Sequence, residues 1–191
     1  MRKLPDILQR RIIAKTKFFT VQEIDLRFNN GTTCTYEKLA SHVQGKSNAV
    51  MIVAINNDNE AILIEEYCGG AENYQLTLPK GLIEQGEDIF TAANRELQEE
   101  AGFKAQNLEY LTSLSLSPGY MEQFIHVVLA QNLTVSKLPG DEPEPLIVTS
   151  CKLDNLISLV QNPKFTEGRA LAALFIAREV MQQRDQQSNK Y

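Results

Sequence analysis

The chain has 191 residues, 43% of them hydrophobic and 23% charged, with a net charge of −5. That is enough apolar material for one ordinary domain, or a domain with an added arm, and too much for a disordered chain. The acidic balance weighs against a nucleic-acid binder that needs a basic face, so no nucleic-acid partner is expected. Three widely spaced cysteines, Cys34, Cys68 and Cys151, form neither a zinc ribbon nor a disulfide framework and suit a reducing, cytoplasmic compartment.

In chain order, the opening "MRKLPDILQRRIIAKTKFF" is basic, but Asp6, Gln9, Arg10 and Arg11 interrupt its apolar residues. It is expected to be neither a signal peptide nor a membrane span, and no later run reaches the roughly 18 apolar residues a span needs. Residues 18–28 alternate, "NNG" at 29–31 is a turn signal, and "TTCTYEKLA" is β-branched, which together predict an N-terminal antiparallel β-hairpin. "AVMIVAI" (49–55) and "AILIEEY" (61–67), separated by "NNDNE", predict a second hairpin. Strands are expected at 110–117 and 123–133, and helices at 88–101, 153–161 and 167–183. Residues 139–146, "PGDEPEPL", read as an acidic loop. This succession predicts an α+β fold, with an arm at 1–45 ahead of a main domain at 46–191.

The helix at 88–101 carries the chemistry. Asp88 suits its N-cap and Gly102 its left-handed stop, while Phe90, Ala93, Leu97 and Ala101 follow the spacing of a buried stripe. Glu96, Glu99 and Glu100 stand at i, i+3 and i+4 toward the negative end of the helix dipole, with Arg95 the one base near them. Each like-charge neighbour costs roughly 0.2–0.5 kcal/mol, and a hard divalent cation removes the conflict. A solvated charged face is the plainer reading of the spacing alone.

The complete string decides between them. Gly81, Glu87, Arg95, Glu96, Leu97, Glu99, Glu100, Gly102 and Phe103 fill every fixed position of G-x5-E-x7-R-E-U-x-E-E-x-G-U, where U is apolar. The chain therefore resembles the Nudix hydrolases. "FFTVQEIDLRFNNGTTCTYEKL", "LIEEY", "GDEPEPL" and "ALAALFIARE" extend the resemblance over almost the whole chain, to the ADP-ribose pyrophosphatase-like branch and its bacterial type acting on ADP compounds.

The resemblance implies an α/β/α sandwich of mixed sheet and Mg²⁺-dependent cleavage of nucleoside diphosphate-linked compounds, with Mn²⁺ as a substitute. ADP-ribose, diadenosine oligophosphates and NADH are the implied substrates and AMP a product. It implies Glu96, Glu99 and Glu100 as metal ligands, with a contribution from the Lys80 carbonyl. Glu87 and Arg95 would brace the loop, and Gly81 would let it turn tightly. It also implies a homodimer that exchanges N-terminal strands.

Two positions depart from the branch. Cys68 stands where an arginine is common, and Gln123 falls at the site of a catalytic glutamate, with Glu122 one residue before it. Either Glu122 activates the water, or Glu99 or Glu100 does. Lys38 could contact a phosphate or merely protect a strand edge; Tyr67 and Tyr120 could stack on adenine or simply pack. His42 and His126 lack partners at metal or triad spacing, with His126 expected on the polar face of a strand, and Cys68 reads as a space-filler. An RNA-end hydrolase and a non-catalytic Nudix domain are the competing readings.

Overall fold

A computed structural model describes residues 2–40 and 49–188; His42 and the expected boundary between residues 45 and 46 lie outside them. Two compact units emerge, one drawn from Met1–Ser47 and Ser115–Phe124, the other from Asn48–Leu114 and Ile125–Tyr191.

The first unit is an antiparallel meander of β1 (Asp6–Lys15), β2 (Thr20–Arg27) and β3 (Thr33–Ala40). The β2–β3 turn closes at "NNG", where Gly31 takes φ +84° and the Asn30 side chain accepts the Thr32 N–H. The expected hairpin thus gains a third strand, β1. Its pairing with β2 shifts register between Ile7 and Gln9 and again between Ile12 and Ala14. Such bulges break two-residue alternation, which is why the segment did not read as a strand. Residues 120–122 join the same unit through Leu39, whose N–H donates to the Tyr120 carbonyl at 2.7 Å.

The second unit contains β4 (Ala49–Ala54), β5 (Glu60–Cys68), β6 (Asn73–Thr77), β7 (Lys80–Leu82), α1 (Ile89–Glu96), β8 (Phe103–Ser115), β9 (Phe124–Val135), β10 (Ile147–Lys152), α2 (Leu156–Val160) and α3 (Gly168–Ser188). One sheet runs β7-β4-β9-β8 and the other β10-β5-β6. The expected hairpin of β4 and β5 is corrected here. The two strands meet at a single bridge, Ile55 with Ala61, and then part into different sheets. β4 pairs with β9 in parallel and with β7 antiparallel, while β5 pairs with β6 and β10. Both strands are apolar on both faces, and two such strands bury more surface in separate, stacked sheets.

Two cores result. Met51, Val53, Leu63, Ile125, Val127 and Leu129 pack with Ala173 and Leu174 of α3. On the opposite face Val50, Ile52, Ile64 and Val128 pack with Ala92, Ala93 and Leu97 of the acidic helix. Helices therefore cover mixed sheet from both sides. Each fully buried aliphatic side chain contributes about 1.5–3 kcal/mol, so α1 is held chiefly by this face. Phe90 departs from the expected stripe and is exposed, while Ala92 is buried. His126 is likewise not on a polar face. It alternates with Val128 and Ala130 toward the α1 core, its buried Nδ1 has no hydrogen-bond partner among the described residues, and burial lowers its pKa.

Candidate active site

The site begins at β7. Gly81 there has an ordinary negative-φ backbone, so the expected tight turn is not the reason for a glycine. The reason is clearance, since a Cβ at Gly81 would lie 2.1 Å from the Glu96 carboxyl carbon. Any side chain would push that carboxylate away.

Asp88 caps α1, accepting the Phe90 and Thr91 N–H groups at 3.0 and 3.2 Å. Thr91 and these caps hold its carboxyl below the usual range. The expected continuous helix over 88–101 then changes character. Leu97–Ala101 form a π-helical turn, ended by Gly102 at φ +77°. The wider turn splits the three carboxylates between two directions. Glu96 and Glu99 reach Arg95 at 2.7 and 3.0 Å. Glu100 instead points to the backbone of Lys80, accepting its N–H at 2.8 Å.

Arg95 is the hub. Nε and Nη2 each meet Glu87 at 3.0 Å, and Nη2 also donates to the Leu82 carbonyl at 2.8 Å. Glu87 is held below the ordinary carboxylate range by this guanidinium, and Arg95 is raised in return, by Glu87 foremost. One cation thus faces three carboxylates. Glu96 and Glu100 are buried, and burial raises both, Glu100 to about 8.

A cavity of about 540 Å³ opens on Glu96, Glu99 and Glu100, its other wall the segment Lys137–Leu146. Two acids beyond the box motif join Glu100 here, one of them from that wall. Carboxylate oxygens of Glu66, Glu100 and Glu142 lie within 4.8 Å of one another. Glu66 comes from β5, where it pairs with the Lys80 ammonium, and Glu142 comes from the acidic loop. The loop's acidity was visible in "GDEPEPL", but its position opposite Glu100 was not. Burial, Glu66 and Asp141 raise the Glu142 carboxyl.

A second cavity, of about 310 Å³, shares Glu142–Leu146 and is otherwise lined by Glu65, Glu66, Tyr67, Tyr74 and Ile147. The Tyr67 and Tyr74 rings meet edge to face at 5.6 Å, both partly exposed. Cys68 lies beside Glu66 with its thiol pushed up by burial, the state of a small packing residue rather than a nucleophile. Lys38 and Glu122 belong to the other unit, where they form an ion pair with each other. Burial and Arg10 pull the Lys38 ammonium below its ordinary value. Tyr120 is largely exposed in that unit.

A loop–helix–loop presenting clustered carboxylates on an α/β/α sandwich defines a class, and the chain belongs to the Nudix hydrolase family, as a pyrophosphohydrolase. The NUDIX domain model matches residues 45–172, and the model of the NudE-type Nudix hydrolase N-terminal domain matches residues 5–38. The sequence is 43% identical over 175 residues to the ADP compounds hydrolase NudE of Escherichia coli (strain K12), covering 92% of each chain. It is 27% identical over 169 residues to an ADP-ribose pyrophosphatase of Bacillus subtilis (strain 168), covering 87% of this chain and 91% of the other. A crystal structure of an ADP compounds hydrolase superposes with a TM-score of 0.87 at 41% identity, covering 96% of this chain and 97% of that one. No helix among the described residues is long and apolar enough to cross a membrane.

Proposed function

We propose that the enzyme hydrolyses the pyrophosphate bond of ADP-linked compounds, among them ADP-ribose, diadenosine oligophosphates and NADH, releasing AMP with Mg²⁺ as its cofactor. The observation that carries the reading is the convergence of Glu96, Glu99, Glu100 and Glu142 on one cavity. The names of the similar proteins support the substrate class.

The donor set fits a hard divalent cation. Its ligands are all oxygens, its carboxylates outnumber Arg95 and Lys80, and Glu100 is buried without a full counter-charge. Glu96, Glu99 and Glu100 would hold Mg²⁺ or, as a substitute, Mn²⁺, with the Lys80 carbonyl as a further donor. Bound there, the cation would neutralise the pyrophosphate and acidify a water.

The protein supplies the rest. Glu142 faces Glu100 across the cavity and is assigned as the base that accepts the water's proton. Of the expected candidates, Glu122 is engaged with Lys38 in the N-terminal unit, and Glu99 and Glu100 are assigned to the cation. Arg95 and Glu87 hold the box loop against the helix, and the exposed Tyr67 ring offers a stacking face for the nucleoside. The test is AMP release from ADP-ribose, NADH and diadenosine polyphosphates, with Mg²⁺ and with chelator. Mg²⁺-dependent AMP from at least one of them supports the reading. No hydrolysis, chelator-insensitive hydrolysis, or turnover of capped RNA alone would overturn it.

The N-terminal unit is the proposed homodimer contact, with the catalytic domain following at 46–191. Ile7, Leu8, Ile12 and Ile13 of β1 are all exposed, more apolar surface than one strand of a lone monomer ordinarily leaves to water. Sedimentation should give a dimer for the full chain and a monomer for Ile12→Lys. A wild-type monomer at micromolar concentration overturns the contact.

A further inference from the structure

The segment Lys137–Leu146 is a strap between the two cavities. Its upstream end is tied to the close of the acidic helix. The Leu138 N–H donates to the Gln98 carbonyl at 3.3 Å and the Lys137 ammonium to the Glu99 carbonyl at 2.6 Å. Downstream it enters β10 at Ile147, opposite Glu65. Between these ends, one tie to the body appears among the described hydrogen bonds, from the Tyr74 hydroxyl to Glu144 Oε1 at 2.5 Å.

Glu144 lies two residues beyond Glu142, and each precedes a proline, Pro143 or Pro145. A residue before proline is confined to extended backbone, and proline fixes its own φ. Glu142-Pro143-Glu144-Pro145 is therefore a stiff link, and restraint at Glu144 reaches Glu142 with little slack. Tyr74 itself is steadied by β6, by its pairing with Tyr67 and by the Tyr67 ring.

We propose that Tyr74 is a positioning residue, whose hydroxyl holds Glu144 and so fixes the strap with Glu142 against the Glu100 carboxylate. The inference rests on the role assigned to Glu142 above. Tyr74 touches neither the metal carboxylates nor the Glu142 side chain in any described hydrogen bond, and it acts through the strap. Glu144 is correspondingly an anchor rather than a ligand.

The test uses the full chain with Mg²⁺. Tyr74→Phe keeps the ring packing and deletes the hydroxyl. It should lower kcat on ADP-ribose about tenfold with KM within twofold, and speed amide exchange across residues 140–146 in the metal-free protein. Glu144→Ala should reproduce both effects, and the double variant should be no worse than either single one, because both remove the same bond. Wild-type kcat and exchange in Tyr74→Phe, or additive losses in the double variant, overturn the inference. Glu142→Gln separates the two proposals. If it keeps full rate, the assignment of the base fails while the exchange result still reports the strap. If it is inactive and Tyr74→Phe is normal, the positioning role alone fails.

Discussion

Glu100→Gln is expected to lower kcat by about 10²–10³-fold, the scale seen when one directed charge-stabilising group is removed from an active site. Its stability signature should run the other way. Glu100 is 7% exposed, and burial raises its carboxyl to about 8. The folded protein thus binds this proton more tightly than the unfolded chain, whose carboxyl titrates near 4.5. The stabilisation is complete below pH 4.5 and is lost as pH rises through about 8. The metal-free wild type should therefore lose thermal stability between pH 5 and 8.5, and Glu100→Gln, which has no proton to lose, should lose less.

A divalent cation takes the place of the proton, so added Mg²⁺ should raise the wild-type Tm more at pH 8 than at pH 5.5. Scanning calorimetry across that range, with and without chelator, checks both halves. A variant within twofold of wild-type rate, or one with the same pH slope, would count against Glu100 as the buried ligand.

The second large effect is expected at Arg95, where one guanidinium satisfies Glu87, Glu96, Glu99 and the Leu82 carbonyl. Its side chain is 22% exposed, and those of Glu87 and Glu96 are each 11% exposed. Removing one partner of a buried pair costs about 3–5 kcal/mol. Partial solvent access reduces that to roughly 2–4 kcal/mol for Arg95→Met. At about 2–4 °C per kcal/mol for a chain of this size, the Tm should fall by about 5–15 °C.

Activity should fall at least about 100-fold, because three unpaired carboxylates repel one another out of the geometry the cation needs. Arg95→Lys should recover part of the stability and little of the rate, since an ammonium cannot reach Glu87, Glu96 and Glu99 as a planar fork does. Urea denaturation and kcat measured on both variants test this, and a lysine variant equal to wild type in both would refute it.

These residues divide what local sequence encodes from what it does not. The box spacing places Glu96, Glu99 and Glu100 on one helix, Asp88 at its cap and Gly102 at its left-handed end, all consequences of interactions within a few residues. Gly31 in its turn and the alternation of β2 are local in the same sense. The requirement at Gly81 is visible as a fixed glycine, but its cause is a carboxylate fifteen residues away.

Pairing was not legible. β4 and β5 are apolar on both faces, so their residues carry no alternation to say which sheet each joins, and proximity in sequence points to the wrong partner. β1 was obscured by its own bulges. The same limit applies to the site. Glu66 lies 34 residues before Glu100, and Glu142 lies 42 after it. No local rule relates them, and only closure of the β5 and strap connections brings their oxygens within 4.8 Å. By itself the sequence determined the family, the acidic helix and its need for a counter-charge. The tertiary structure decided how the carboxylates divide, two to Arg95 and one toward Glu66 and Glu142, because that division depends on long-range burial and on a π-helical turn.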